Sequence, residues 1–249
     1  MSLLWRKKKL RIVLGPDRVV VSDGKTVKLE PASGAPEWQT AVAALPGILS
    51  SRKGQEAALV LADQFARYAL LAWNATLKTE AQWQALARHR LGVVHGAAAA
   101  GWELKLTETA PAGPRLACAL ERELVEALAQ TFVAAGVELI SVQPFLVTAF
   151  NRIRTTLGND SCWIVVEEPG RLTLALIQRG VWMAIRSRRI DQRWRSVLPE
   201  ILERESAFLG LAEPCPSVVV CAQGAFDVTQ YDSWRAQALN YRELAMSWS

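Results

Sequence analysis

The sequence contains little that would support metal or redox chemistry. Its 249 residues include only two histidines and four cysteines. His89 and His95 lie six positions apart, a spacing that does not put two ligands on one face of a helix. No CxxC pair occurs, and no histidine lies at ligand spacing from a cysteine. We therefore expect no metal site, two histidines at the surface or at a helix end, and reduced core cysteines at Cys118, Cys162, Cys215 and Cys221.

Several signatures of common enzymes and of membrane insertion are also missing. The patterns GxSxG, HExxH and GxxxxGK followed by Ser or Thr do not occur. No apolar run reaches the ~18 residues that a membrane span needs. Lysines follow the short apolar start at Leu3–Trp5, and no apolar core comes after them, unlike a signal peptide. These features predict a soluble, cytoplasmic chain that can still dock on a membrane complex.

Positive charge is in modest excess, with a net charge of +5. Much of it lies in two clusters, Arg6–Arg11 and Arg186–Arg195. Such clusters are typical either of solvated faces or of surfaces for nucleic acid, anionic lipid or acidic proteins. Nucleic-acid binding also needs interleaved aromatic residues, and Trp182–Arg195 offers only a partial version. We expect no nucleic-acid partner, whereas Arg6–Lys9 would favour the anionic cytoplasmic leaflet.

One short pattern occurs twice in the chain. Ile12–Leu14 and Val19–Val21 flank a turn that begins at Gly15, and Ile164–Val166 and Leu172–Leu176 flank a turn around Gly170. Each copy predicts two β-strands joined by a tight turn. The duplication predicts two lobes that are folded alike.

The region between the two copies predicts further strands and helices. Strands are expected at Ala58–Leu61, Phe65–Trp73, Trp102–Leu106 and Arg115–Leu120. Thr79 and Gln82 form a capping box that starts a helix. A helix from Glu121 to Ala135, ended by Gly136, then leads through a strand to a second helix at Phe145–Leu157. After the second copy, the pattern predicts a helix at Arg193–Leu209, interrupted or started at Pro199, and a buried strand at Val218–Cys221.

This order of elements resembles the actin-like ATPase superfamily. Within it, the chain is similar to PilM-type proteins of type IV pilus assembly and to the cytoplasmic region of GspL-type proteins of type II secretion. The most specific parts are an inserted strand–helix–strand–strand unit and the run from Leu124 to Val147. The resemblance implies an α/β protein with a duplicated, RNase H-like, two-lobed fold and a small inserted α+β subdomain. Its parts would be the first lobe (1–57), the insertion (58–120), the segment that completes the first lobe and crosses over (121–160) and the second lobe (161–249).

The resemblance also identifies the turns that would hold a nucleotide. The first family hairpin carries Asp-x-Gly and hydroxyl residues that contact phosphate and metal, but Val13 takes the aspartate position. In the second hairpin, Val166 and Glu168 take the aspartate and glycine positions. A valine binds no magnesium, and a glutamate in the turn repels phosphate. The degenerate phosphate and adenosine loops would comprise Gly15, Pro16, Asp17, Arg18, Glu168, Gly170, Arg171 and Gly224.

Two interpretations of the acidic residues in these turns stay open. Asp17 with Glu167 or Glu168 would be a shifted acidic pair in a weak ATPase, or else a turn aspartate and solvent-facing glutamates. We favour the second, because aspartate is common in turns. We expect no cofactor and no catalytic residue; the alternative is an ATP-binding protein that takes ATP with magnesium at the glycines of its loops.

Seven of the ten tryptophans fall into two groups. Core-facing spacings occur at Trp38, Trp83 and Trp163. Four others lie beside arginines or near the termini, where they would anchor a partner or pack in the core: Trp5, Trp194, Trp234 and Trp248.

The resemblance implies a non-catalytic scaffold on the cytoplasmic face of the inner membrane, in type IV pilus biogenesis or type II secretion. The expected partner is the cytoplasmic tail of a bitopic inner-membrane assembly protein. It would bind in a groove of the first lobe or its insertion. The assembly ATPase is a second expected partner.

Overall fold

The computed structural model describes residues 9–30, 34, 36–107, 113–157, 160–211, 215–222, 224–231 and 234–240. This part of the chain forms two five-stranded sheets and one three-stranded sheet, with α-helices packed against them. The predicted α/β class is confirmed.

The first lobe begins with a mixed sheet and two short helices. Its elements are β1 (Lys9–Leu14), β2 (Arg18–Val21), β3 (Thr26–Lys28), α1 (Glu37–Ala43), α2 (Leu45–Leu49) and β4 (Glu56–Leu61). Side chains of β1 alternate between two cores: Ile12 and Leu14 face the first-lobe core, and Val13 faces a core shared with the second lobe. A proline lies in the first turn of α2, where its missing N–H costs no hydrogen bond. A second helix can therefore begin here, directly after α1.

The insertion is a three-stranded antiparallel sheet covered by one helix. It consists of β5 (Ala66–Leu71), α3 (Glu80–His95), β6 (Trp102–Leu106) and β7 (Arg115–Glu121), with strand order β5–β7–β6. The Thr79 hydroxyl accepts from the Gln82 N–H, so the predicted capping box starts α3. Trp83, Ala87 and Leu91 pack against the sheet in a separate core. Burial of Trp83 is therefore confirmed.

The strand at residue 58 belongs to the first sheet and not to the inserted one. β4 pairs in parallel with β1, so the inserted sheet begins at Ala66 and not at the expected residue 58. Ala57–Leu61 is buried throughout, as suits a central parallel strand. An apolar run of this kind does not itself reveal which sheet the strand will join.

A helix, a strand and a helix complete the first lobe and cross to the second. These are α4 (Arg122–Ala134), β8 (Glu138–Pro144) and α5 (Phe145–Leu157). Gly136 ends α4 with a φ of +65°, a left-handed conformation that favours glycine. β8 pairs in parallel with β4, which gives the sheet order β3–β2–β1–β4–β8.

The second lobe repeats the plan of the first. Its elements are β9 (Cys162–Glu168), β10 (Arg171–Gln178), β11 (Val181–Arg189), α6 (Trp194–Phe208), β12 (Ser217–Ala222) and β13 (Arg235–Asn240), with order β11–β10–β9–β12–β13. In both sheets the first three strands are antiparallel and the last two pair in parallel. The two lobes thus share one topology.

Helix α6 passes through a proline without ending. Pro199 lies inside the helix and has no N–H for the carbonyl of Arg195, four residues earlier. The Tyr231 hydroxyl donates to that carbonyl at 2.5 Å instead. The expected interruption at Pro199 is therefore absent, because a distant side chain supplies the missing donor.

The cysteines are packing residues. All four are free, three are buried, and Cys118 is partly buried. Burial raises the pKa of the Cys118 and Cys162 thiols to about 12, which keeps them protonated and unreactive. Within the described ranges no helix is long and apolar enough to cross a bilayer.

Candidate functional site

The turns of the two hairpins face each other between the lobes. Gly15–Arg18 from the first lobe and Glu168 and Pro169 from the second line one common gap. The volume of this gap is about 10 Å³. That is roughly the smallest space that holds a single water molecule. The turns therefore meet with almost no room between them.

The first turn is closed by its own hydrogen bonds. The Gly15 N–H donates to the Arg18 carbonyl at 2.9 Å. A Cβ at Gly15 would lie 3.3 Å from that oxygen, so the tight turn favours glycine. The Asp17 carboxylate accepts from the Arg18 guanidinium at 2.6 Å, and both side chains are partly exposed. Asp17 is thus paired within its own turn.

Glu168 points into the first lobe and not into solvent. It is 2% exposed and accepts from the N–H groups of Asp63 (2.7 Å) and Gln64 (3.1 Å). These N–H groups start a 3-10 turn after β4, where backbone donors have no partner within the turn. Gln64 Nε2 also donates to the Pro169 carbonyl at 2.9 Å. The interpretation of Glu168 as a solvent-facing glutamate is therefore wrong, because its carboxylate joins the two lobes.

Asp63 is a second buried carboxylate at the same junction. Its Oδ1 accepts from the Tyr68 hydroxyl at 2.5 Å, and the Leu146 N–H approaches both carboxylate oxygens at 3.1 Å. Asp63 therefore connects the end of β4 with β5 and with the first turn of α5. Burial raises the pKa of Asp63 to about 6. Burial and the nearby Asp63 raise the pKa of Glu168 well above its ordinary value.

Asp63 was not among the site residues predicted from the sequence. One available signal was an acidic residue directly after the carboxyl end of a buried strand. The oxygens of Asp63 and Glu168 accept N–H and O–H groups of the protein itself. The arrangement is therefore suited to holding the two lobes together.

Three predicted site residues lie away from the common gap. Gly170 adopts a φ of +71° in the second turn and lines an open recess of about 270 Å³ beside Trp194. Arg171 lines another pocket, with residues of β5 and β11. Gly224 is exposed after β12. The structure thus brings together Gly15–Arg18 and Glu168, but not the other three.

The neighbouring glutamate, Glu167, binds within the second lobe. It accepts from Trp194 Nε1 at 3.1 Å and from the Arg195 guanidinium at 3.1 Å. Arg195 also donates to the Ala225 carbonyl at 3.1 Å, which fixes the segment after β12 to α6. Glu167 is therefore part of the lobe's internal packing, and its interpretation as solvent-facing is also wrong.

Two of the four tryptophans that lie beside arginines or near the termini, Trp194 and Trp234, are buried in the second-lobe core. Of the two interpretations that the sequence left open for them, packing in the core is the correct one. Proximity to arginine did not indicate exposure, because Arg195 packs over the Trp194 ring. Trp5 and Trp248 lie outside the described residues. Burial of Trp38 and Trp163 is confirmed.

A larger groove lies between the insertion and the first lobe. Its volume is about 440 Å³. Its walls come from β6, β7, α4, β8 and the start of α5, and most of them are apolar: Leu104, Leu106, Leu116, Leu120, Val125, Leu128, Leu139, Val142 and Val147. Glu103, Lys105, Thr107 and Gln143 add polar groups. Both β6 and β8 are the outermost strands of their sheets in the described part of the chain.

Comparisons with known proteins bear on this architecture. No protein-family model matches the chain, and no curated protein matches it in sequence. Among solved structures, the PilM–PilN type IV pilus biogenesis complex gives a TM-score of 0.65 at 12% identity, over 96% of this chain and 90% of that chain. A Bacteroides thetaiotaomicron protein of unknown function with an actin-like ATPase fold gives 0.61 at 11% identity, over 100% of both chains.

A third similar structure is the cytoplasmic domain of EpsL, an inner-membrane component of the type II secretion system of Vibrio cholerae. It gives a TM-score of 0.58 at 12% identity, over 95% of this chain and 92% of that chain. All three similarities extend over nearly the whole chain, as the sequence resemblance implied. Two lobes of one topology, a connecting helix and an inserted three-stranded unit therefore make up an actin-like fold.

Proposed function

We propose that the protein is a non-catalytic, actin-like scaffold of a type IV pilus or type II secretion system. In this proposal it acts at the cytoplasmic face of the inner membrane and binds the cytoplasmic tail of a bitopic assembly protein. The observation that carries the proposal is the 440 Å³ apolar groove between the insertion and the first lobe. The assembly ATPase is a second proposed partner.

The closed gap between the turns supports the non-catalytic part of the proposal. A nucleotide needs backbone N–H groups that approach its phosphates and a carboxylate that holds the metal ion. Here Glu168 accepts two N–H groups of the first lobe, and Asp17 is paired with Arg18. A gap of about 10 Å³ leaves no space for a phosphate chain unless the lobes separate. Separation would break three hydrogen bonds from Asp63 and Gln64.

The groove has the properties of a peptide-binding site. Its volume lies within the range of about 300–1,000 Å³ that is common for ligand pockets. Val142 is 37% exposed on β8 and lies in the groove wall, so apolar surface is available to a partner. Outer strands also present unpaired backbone groups to an extended segment. We propose that the tail binds as an extended segment whose apolar side chains fill the groove.

The comparisons agree with a partner of this kind. The structure most relevant to it is a complex of PilM with PilN, and another is a domain of an inner-membrane secretion component. A short tail suits the groove better than a folded domain does, because the groove is a mostly apolar recess of about 440 Å³. The proposal therefore assigns the groove to one occupant, the cytoplasmic tail of a membrane component.

The groove assignment is tested with one charge placed inside the groove and one outside it. The probe is a fluorescent synthetic peptide with the tail sequence of the bitopic pilus or secretion protein encoded beside this one. Val142→Lys should weaken peptide binding about tenfold or more, because an unpaired charge is placed among apolar side chains. Val133→Lys is the matched control, since Val133 is 79% exposed on α4 and does not line the groove. Equal affinities of the two variants, or no binding by the unaltered protein, would contradict the assignment.

The non-catalytic part needs a separate experiment. Calorimetric titration with ATP and magnesium should show no saturable binding at micromolar concentrations. Micromolar binding, or ATP hydrolysis above that of a buffer control, would instead favour an ATP-binding protein whose lobes open. Because the peptide and the nucleotide are titrated independently, one part of the proposal can fail while the other holds.

A further inference from the structure

A pocket rich in arginine lies between the insertion and the second lobe. Its volume is about 280 Å³, and its charged lining residues are Arg67 from β5, His95 at the end of α3, Arg171 from β10, and Arg188 and Arg189 from β11. None of the described residues that line it is acidic. It shares no lining residue with the gap between the turns or with the apolar groove.

The positive charges in this pocket are not neutralised from within. Among the described residues, neither Arg171 nor Arg188 nor Arg189 forms an ion pair. Arg67 donates to the carbonyls of Gln64 and Ala66 at 2.7 and 2.9 Å, which fixes its guanidinium without cancelling its charge.

Neighbouring charges have opposing effects on the pKa of Arg67. Burial and the nearby Arg171 lower the pKa of Arg67, while Glu121 and Glu37 partly offset this effect. His95 has a lowered pKa because of burial and because of Arg67. The guanidinium groups of Arg67 and Arg171 therefore repel each other, and Arg189 lies directly opposite Arg171 in the β10–β11 pair.

We propose that this pocket binds a compact phosphate-bearing anion, whose negative charge bridges the insertion and the second lobe. Guanidinium groups bind phosphate oxygens through paired, charge-assisted hydrogen bonds, which a lysine cannot reproduce. Arg67 contributes from the insertion, and Arg171 and Arg189, which lie opposite each other on β10 and β11, contribute from the second lobe. A space of about 280 Å³ accommodates one or two linked phosphate groups.

The acidic groups nearest to this cluster do not take the place of the ligand. Asp63 and Glu168 interact electrostatically with Arg171, but their carboxylates accept protein N–H and O–H groups at the lobe junction. They do not line the pocket. An external anion would thus bind next to the junction and remove the repulsion between Arg67 and Arg171.

The test is a calorimetric titration of the whole chain with sodium pyrophosphate at low ionic strength. Binding should be saturable with one site per chain, and Arg188→Gln combined with Arg189→Gln should weaken it about tenfold or more. These side chains lie on the outermost strand β11, so their replacement should leave the fold intact. Arg186→Gln is the matched control on the same strand, because Arg186 lies outside the pocket and near Glu205.

A second variant tests whether the paired N–H donors of an arginine are required. Arg67→Lys keeps the charge but not the paired donors, and it should also weaken pyrophosphate binding. The proposal is overturned if the unaltered chain shows no saturable binding, or if Arg186→Gln weakens binding as much as the pocket variants do. Either result would show that the cluster acts only as diffuse positive charge.

Two further titrations distinguish the sources of the anion. A soluble ligand predicts saturable binding of pyrophosphate that the pocket variants lose, with no pocket-dependent binding to vesicles of an anionic phospholipid. A headgroup source predicts vesicle binding that depends on Arg188 and Arg189, with only weak binding of free pyrophosphate. Saturable binding of a polyglutamate peptide without any binding of pyrophosphate would contradict a phosphate site.

Discussion

The gap between the turns and the groove beside the insertion differ in size and in the polarity of the side chains that line them. Each lies where the first lobe meets another part of the molecule, yet the gap measures about 10 Å³ and the groove about 440 Å³. Polar groups close the gap, with Glu168 bound to the N–H groups of Asp63 and Gln64. Apolar side chains line most of the groove and leave it open. The gap is thus a contact that joins the lobes, whereas the groove is apolar surface that stays open.

Physical chemistry explains why these two places behave differently. A buried carboxylate is costly unless it is hydrogen-bonded, and the orphan N–H groups of the 3-10 turn meet that need. Once formed, such a contact is difficult to replace by water or ligand. Apolar walls need no directional hydrogen bonds. Covering the open groove with any complementary apolar segment is therefore favourable, because apolar surface is removed from water.

The largest effect is expected for Glu168→Ala. This change leaves two N–H groups at the lobe junction without acceptors, and it should lower the free energy of unfolding by about 3 kcal/mol. Urea denaturation followed by tryptophan fluorescence measures the loss. Glu200→Ala is the control, because Glu200 is exposed on α6 and its removal should change stability by less than about 0.5 kcal/mol. A loss of under about 1 kcal/mol for Glu168→Ala would mean that the contact does not hold the lobes together.

The next effect is a dependence of stability on pH that arises from Asp63. Its pKa is raised from 3.8 to about 6, so the folded chain holds this proton more tightly than the unfolded chain does. The resulting stability is fully present below the unfolded pKa and is lost as the pH rises through about 6. The loss should be about 2–3 kcal/mol, since each unit between the unfolded and the folded pKa corresponds to about 1.4 kcal/mol.

Urea midpoints between pH 4 and pH 8, compared for the unaltered chain and Asp63→Asn, isolate this contribution. The asparagine does not titrate, so the stability of the unaltered chain relative to Asp63→Asn should fall as the pH rises over that window. A difference that stays constant with pH would show that Asp63 has an ordinary pKa. Glu168 titrates in both proteins, but Asp63 is one cause of its raised pKa, so the difference between the profiles reports the titration of the two carboxyl groups together.

A smaller and more specific effect is expected for Tyr68→Phe. The Tyr68 hydroxyl stabilises the ionised form of Asp63 and lowers its pKa. Its removal should cost about 1 kcal/mol at pH 7 and move the Asp63 transition to higher pH. Tyr231→Phe is a matched control, since it loses a hydrogen bond to the Arg195 carbonyl but has no contact with Asp63. If both variants shift the pH profile equally, the hydroxyl does not act through Asp63.

The parts of the fold that local patterns determine could be predicted from the sequence. The repeated hairpins became β1–β2 and β9–β10, and the capping box at Thr79 starts α3. The glycine at 136 ends α4. These features depend on residues close together in the chain, where turn and cap preferences decide the conformation. The duplicated two-lobed fold was implied by the resemblance of the whole pattern to a known family.

The direction of buried polar side chains could not be predicted in the same way. Glu168 lies at the end of an apolar strand, where a surface turn residue would also be expected. Its hydrogen-bond donors come from the 3-10 turn at residue 63, which is distant in the sequence. Trp194 lies beside arginines in the sequence but packs against Phe226 in the core. In both residues the partner is far away along the chain, so no local pattern identifies it.

The smallest effect is expected for Asp17→Ala, at the other side of the same gap. The Asp17 carboxylate pairs with the adjacent, partly exposed Arg18, and such pairs contribute about 0–1 kcal/mol. The variant should therefore unfold at nearly the same urea concentration as the unaltered chain, with or without ATP and magnesium. If Asp17 instead held a metal ion, magnesium and ATP would stabilise the unaltered chain and fail to stabilise the variant. That result would make the first turn a nucleotide site and would remove the contrast between a closed gap and an open groove.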